Sequence, residues 1–128
     1  MAKKILAVDD DENILNLEKT ILGRNGFEVV TASKAQDALD LLEREPVDLM
    51  LLDVVMPELD GFELCRKIKA DPRFKDLPIV FLTARGGGEA LTEGFESGGV
   101  MYIRKPFTAA KLLAVVGTML KSAEHGLS

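Results

Sequence analysis

The sequence predicts a doubly wound (βα)5 domain of the α/β class, with five parallel strands in one sheet and helices on both faces. Three observations carry that prediction. Short apolar runs recur as Ile5-Leu6-Ala7-Val8, Leu49-Met50-Leu51-Leu52, Ile79-Val80-Phe81-Leu82 and Val100-Met101-Tyr102-Ile103. A run of about four apolar residues bounded by polar or turn residues reads as a strand buried on both faces. Segments of near-helical spacing separate the runs, and strands alternating with helices imply a parallel sheet. Each run also ends on polar residues: Asp9-Asp10, Asp53, Thr83 and Lys105-Pro106.

The first strand leads into a helix that starts near Glu12 and places Ile14, Leu15, Leu17, Ile21 and Leu22 mostly on one side. Asn25-Gly26 stops it. A second strand spans 28–32, and Ser33-Lys34-Ala35-Gln36 has the pattern of a capping box opening the second helix. That helix buries Ala38, Leu41 and Leu42 and stops before Pro46. The third strand ends at Asp53. Asp60 and Glu63 have capping-box spacing for a third helix, which ends at Asp71-Pro72. The fourth strand ends at Thr83, ahead of Gly86-Gly87-Gly88; the fifth is short, and Thr108 caps the last helix. Residues 1–123 form one domain and 124–128 a polar tail.

At 128 residues the chain is long enough to bury a core, and its 47% apolar content is that of a globular domain. A net charge of −5 with scattered Lys and Arg gives no basic field for nucleic acid. No apolar stretch approaches the roughly 20 residues of a membrane span, and Met1-Ala2-Lys3-Lys4 lacks the apolar region of a signal peptide. Cys65 is the only cysteine, which excludes an intrachain disulfide and fits a reducing cytoplasm. A cytoplasmic location, with neither nucleic acid nor membrane as partner, is therefore expected.

Carboxyl ends of parallel strands share one edge, where open α/β sheets bind ligands. There the three carboxylates of Asp9, Asp10 and Asp53 converge with the Thr83 hydroxyl and the Lys105 ammonium. Clustered carboxylates repel one another and call for a divalent cation, and hard oxygen ligands suit Mg²⁺. A metal, a lysine and a hydroxyl around one carboxylate make a place to hold a phosphoryl group. Asp11, which extends the acidic pair, reads instead as a helix cap. His125 lies in the tail without a second histidine, so a phosphoryl donor would be another protein's histidine or a small molecule.

Taken in order, Asp9-Asp10, the segment from Asp53 through Val54-Val55-Met56-Pro57-Glu58-Leu59-Asp60 to Gly61, Thr83-Ala84, and Tyr102-Ile103-Arg104-Lys105-Pro106-Phe107 resemble the receiver domains of two-component response regulators, of the stand-alone, chemotaxis-regulator type. The resemblance implies a flavodoxin-like fold and a phosphoprotein in which Asp53 accepts a phosphoryl group from a sensor histidine kinase or a histidine phosphotransfer protein. It implies Mg²⁺ held directly by Asp10, Asp53 and the backbone carbonyl of Val55, with Asp9 acting largely through water. It further implies that Lys105 pairs with Asp53, that Pro106 follows a cis bond, and that the small Ala84 leaves a backbone N–H accessible. Thr83 and Tyr102 would act as the switch. Output would pass to a protein target, with the face formed by the fourth helix, fifth strand and last helix as one candidate.

The chain departs from the family pattern in places. Val100 and Met101 stand where many members carry acids, so the dimer those members form is not expected. Gly86-Gly87-Gly88 replace a segment that is commonly polar. Val55 and Arg85 offer neither carboxylate nor amide to orient an attacking water, which points to a long-lived aspartyl phosphate. The last helix is apolar over more than one face, and either core packing or a partner-binding face including Leu113 and Val116 would explain that. Three rivals stand against the phosphorylation switch. A Mg²⁺-dependent phosphohydrolase lacks its second carboxylate at Val55. A flavodoxin-like small-molecule binder would need a phosphate loop where Asp9-Asp10-Asp11 stand. The third rival is a degenerate receiver, an interaction module that signals without phosphorylation.

Overall fold

In the computed structural model, residues 2–56, 60–83 and 101–124 are described, with side chains up to residue 121. The order is β1 (Lys4–Val8), α1 (Glu12–Gly23), β2 (Glu28–Ala32), α2 (Ala35–Arg44), β3 (Leu49–Asp53), α3 (Gly61–Lys69), a 3₁₀ turn (Pro72–Phe74), β4 (Ile79–Thr83), β5 (Met101–Arg104) and α4 (Ala109–Glu124). All four strand pairings are parallel, and the sheet order is β2-β1-β3-β4-β5. The order reverses between β1 and β3, which opens a crevice at their carboxyl ends. A helix expected between β4 and β5, with Ala84, Arg85, the three glycines and Val100, falls outside the described residues, as do Pro57 and His125.

Continuous apolar runs make sense because the sheet has a core on each face. Strand side chains alternate, so Leu6, Val8, Met50, Leu52, Ile79 and Phe81 meet Ala38 and Leu42 of α2 and Phe62, Leu64, Cys65 and Ile68 of α3. Their neighbours Ile5, Ala7, Leu49, Leu51, Val80, Leu82 and Ile103 meet Leu15 and Leu22 of α1 and Leu112, Val115, Val116 and Leu120 of α4.

Several local expectations hold. Asp11 caps α1, its side chain accepting from the Asn13 N–H. Asp60 caps α3 by accepting from the Glu63 N–H at 3.0 Å, and the Thr108 hydroxyl accepts from the Lys111 N–H at 3.0 Å. Gly26, at φ +89°, ends the turn after α1 in a conformation that side chains rarely adopt.

Three expectations need correction. The box at Ser33–Gln36 does not form: Lys34 is the extended residue before α2, it makes no side-chain cap, and the Gln36 amide donates to Asp40 instead. Leu17 is 45% exposed, while Glu18 takes the inward position on α1. Val116 is fully buried in the α1/α4 core and Leu113 is half-buried against it. Core packing therefore accounts for the second apolar face of the last helix, and Val116 is no partner contact.

Candidate functional site

Beyond the last residues of β1 and β5 the sheet ladder continues for one more step. The Asp9 N–H donates to the Ala32 carbonyl, and the Lys105 N–H to the Thr83 carbonyl at 2.9 Å. Alternation therefore extends to these residues. Asp9 follows Ile5 and Ala7, Asp53 follows Leu49 and Leu51, and Lys105 follows Ile103, so all three belong to the α1/α4 face. The neighbouring register of Val8 with Leu52 brings Asp9 alongside Asp53.

Carboxylate oxygens of Asp9, Asp10 and Asp53 lie within 4.8 Å of one another, with Asp9 and Asp53 buried and Asp10 exposed. Oxygens around an octahedral Mg²⁺ at about 2.1 Å stand roughly 3 to 4 Å apart. The cluster thus fits a small hard cation if one of the three carboxylates reaches it through water. The Val55 side chain is 56% exposed at the rim of this site.

The Lys105 ammonium donates to Asp9 Oδ2 at 2.7 Å and to Asp53 Oδ1 at 3.2 Å. Asp9 is thus the closer partner, a contact the sequence did not reveal. Asp9 Oδ1 accepts from the Asp11 N–H at 3.0 Å. The Lys105–Pro106 peptide is cis.

Burial, followed by the neighbouring Asp9 charge, raises the Asp53 pKa from 3.8 to about 6. The Lys105 charge, its hydrogen bond and the Val55 backbone N–H hold it down only in part. Burial pulls the Lys105 ammonium down, yet the carboxylates of Asp9 and Asp53 outweigh it and its pKa is raised. Among the described residues the site therefore holds three carboxylates against the single ammonium of Lys105.

Thr83 is completely buried at the end of β4. It follows Phe81 by two residues, so it belongs to the α2/α3 face, opposite Asp53 and Lys105. Phe81 is in register with Tyr102, their ring centroids are 6.0 Å apart, and Phe62 meets Phe81 edge-on at 4.9 Å. Tyr102 therefore belongs to an aromatic cluster with Phe81 and Phe62. Ala84 lies outside the described residues.

Two further residues belong to the site. Gly61 donates its N–H to the Val54 carbonyl at 2.7 Å, and a Cβ there would fall 2.2 Å from the Asp53 carbonyl oxygen. The start of α3 therefore rests directly on the backbone that presents Asp53. Glu18 of α1 is 2% exposed, and one of its carboxyl oxygens has no hydrogen-bond partner among the described residues. Burial, then the Asp9 charge, raises its pKa to about 8, with Lys105 opposing and Asp53 adding. Its only sequence signal is its spacing, three residues after Leu15 and four before Leu22.

Comparison with known proteins gives one answer. The family model described as the response regulator receiver domain matches residues 5–117. The alkaline phosphatase synthesis transcriptional regulatory protein PhoP of Bacillus subtilis is 40% identical over 124 residues, 97% of this chain and 51% of that protein. The nisin biosynthesis regulatory protein NisR of Lactococcus lactis is 39% identical over 125 residues, 98% of this chain and 53% of that protein. The chain thus spans about half the length of these curated relatives. Among solved structures, a CheY-like receiver domain protein of Methanospirillum hungatei superimposes with a TM-score of 0.92 at 31% identity, covering 98% of this chain and 99% of that one. Chemotaxis protein CheY4 of Vibrio cholerae gives 0.90 at 31% identity, covering 93% and 99%. Among the described residues, no helix is long and apolar enough to cross a membrane.

Proposed function

This chain belongs to the family of response regulator receiver domains, and from that membership we propose that Asp53 is its phosphoacceptor. The observation that carries the reading is a buried carboxylate held 3.2 Å from the Lys105 ammonium within a cluster of three acids. A phosphohistidine of a sensor kinase or phosphotransfer protein is the donor. One Asp53 carboxylate oxygen forms the new bond to phosphorus as the phosphorus–nitrogen bond breaks, and the electron pair leaves with the imidazole. Asp10, Asp53 and the Val55 carbonyl would hold Mg²⁺ directly, with Asp9 holding it through water, and the bound cation would supply charge neutralisation for the transferring group. Such transfer depends mainly on positioning and charge neutralisation.

Lys105 carries a positive charge to the phosphoryl oxygens. The Thr83 hydroxyl, on the α2/α3 side of β4, would swing toward the same group, the small residue type at Ala84 would leave a backbone N–H accessible to it, and Tyr102 would follow by repacking. These changes shift a population between two states read by another protein. The face expected from the fourth helix, β5 and the last helix (α4 here) is the candidate output surface; the fourth-helix segment lies outside the described residues, and the burial of Val116 narrows the remainder. Several relatives are named transcriptional regulators, and output through DNA in a longer protein is compatible with this reading.

Intact mass after incubation with acetyl phosphate and Mg²⁺ tests it. A gain of one phosphoryl group in the parent and none in Asp53→Asn is expected. No gain in a folded, Mg²⁺-loaded parent would favour the degenerate, phosphorylation-independent receiver.

A further inference from the structure

Resting on the reading of the acidic cluster as a Mg²⁺ site, we infer that Glu18 is a positioning residue of that site, accepting the Lys105 ammonium when the cation occupies Asp9, Asp10 and Asp53. Four observations on one face of the sheet carry this. The Lys105 ammonium already touches two of the three clustered acids, and its shorter contact, 2.7 Å, is to Asp9. A divalent cation arriving among the same oxygens meets that ammonium within a few ångström, and like charges at such range in a partly buried site repel strongly.

The ammonium then needs another acceptor on its own side of the sheet. Glu18 lies on that side, in the stripe of α1 with Leu15 and Leu22, and it has a buried oxygen without a donor among the described residues. Among the described residues its electrostatic neighbours are Asp9 at the end of β1, Asp53 at the end of β3 and Lys105 after β5, with no described charged group of β2 or α4 among them. These are the members of the site, and Glu18 acts on Asp9 and Asp53 through space, with no hydrogen bond to either.

A leucine at position 18 would complete the apolar stripe and avoid burying an unpartnered oxygen. The acid is thus explained by what it does to the site rather than by packing. Burial and the nearby acids disfavour a negative charge on Glu18, and Lys105 shifting onto it offsets that cost by forming a new ion pair.

Mg²⁺ titration of the full chain near neutral pH, followed by amide chemical shifts and calorimetry, tests the inference. Glu18→Leu should weaken Mg²⁺ binding by about tenfold, the order expected when one unit charge stays a few ångström too close. Glu18→Gln, which still accepts a hydrogen bond, should fall between.

In a Lys105→Ala background, Glu18→Leu should have no effect on affinity, because there is no ammonium to relocate. Unchanged affinity in Glu18→Leu would overturn the inference. An equal loss with and without Lys105 would overturn it too, since Glu18 would then act on the cation directly. Should Glu18→Leu fail to fold, Glu18→Gln carries the same comparisons. Asp10→Asn serves as the control: if it leaves binding intact, the metal site itself fails and this inference with it, a distinguishable outcome.

Discussion

Replacing Asp53 by asparagine should stabilise the protein at neutral pH when no divalent cation is present. In the folded chain, burial and the Asp9 carboxylate raise the Asp53 pKa from 3.8 to about 6. Each tenfold in proton affinity is worth about 1.4 kcal/mol, so ionising folded Asp53 carries a penalty of about 3 kcal/mol. The folded state binds this proton more tightly than the unfolded state. Stability therefore falls as pH rises from 3.8 to about 6, and the whole penalty is present above that range.

Asparagine keeps the shape and removes the charge, but it gives up the charge-assisted bond from Lys105. The net gain at neutral pH should be roughly 1–3 kcal/mol. Urea unfolding followed by far-UV circular dichroism measures it, at neutral pH and below 3.8. Added Mg²⁺ should narrow the gap, because it binds and stabilises the folded parent more than the variant. A variant no more stable than the parent at neutral pH would refute the reasoning. So would a gain that persists undiminished below 3.8, where Asp53 is protonated in both states.

Other substitutions probe separate parts of the account. Lys105→Ala should slow phosphorylation by acetyl phosphate about a hundredfold, the scale of losing one charge-stabilising donor, while tightening Mg²⁺ binding because no ammonium competes for Asp9; stopped-flow rates and calorimetry read the two effects. Gly61→Ala forces a Cβ to 2.2 Å from the Asp53 carbonyl oxygen, so it should lower stability by roughly 3 kcal/mol, seen as a lower urea midpoint at unchanged slope. Asp11→Ala removes the acceptor for the Asn13 N–H and should cost about 1 kcal/mol; its Mg²⁺ affinity should stay at the parental value, in contrast to Asp10→Asn.

How much of this was legible in the sequence depended on the range of the interaction involved. The strands were readable because a sheet with two cores needs unbroken apolar runs, and the polar residues ending these runs marked the edge where Asp9, Asp53 and Lys105 gather. The caps at Asp11, Asp60 and Thr108 were readable because a cap involves residues only two or three apart. The second helix was misread by a residue or two because Ser33 and Gln36 fit the capping pattern, whereas the chain extends through Lys34 and begins the helix at Ala35.

Glu18 was missed for a similar reason. Leu17 and Glu18 are one position apart, and the ordinary preference of an acid for water assigns them the wrong way round; the observed turn of α1 buries Glu18 and exposes Leu17. The contact of Gly61 with the Asp53 backbone and that of Lys105 with Asp9 depend on the folded path of the chain, which no local pattern specifies.

The most direct test of the central claim locates the phosphoryl group. The parent is phosphorylated with acetyl phosphate and Mg²⁺, the acyl phosphate is reduced with borohydride, and the peptides are sequenced by mass spectrometry. An acyl phosphate on aspartate is converted to homoserine by this treatment, so homoserine at position 53, absent without phosphorylation, is the predicted result. Homoserine at Asp9 or Asp10, or at no aspartate despite a gain in intact mass, would contradict Asp53 as the acceptor.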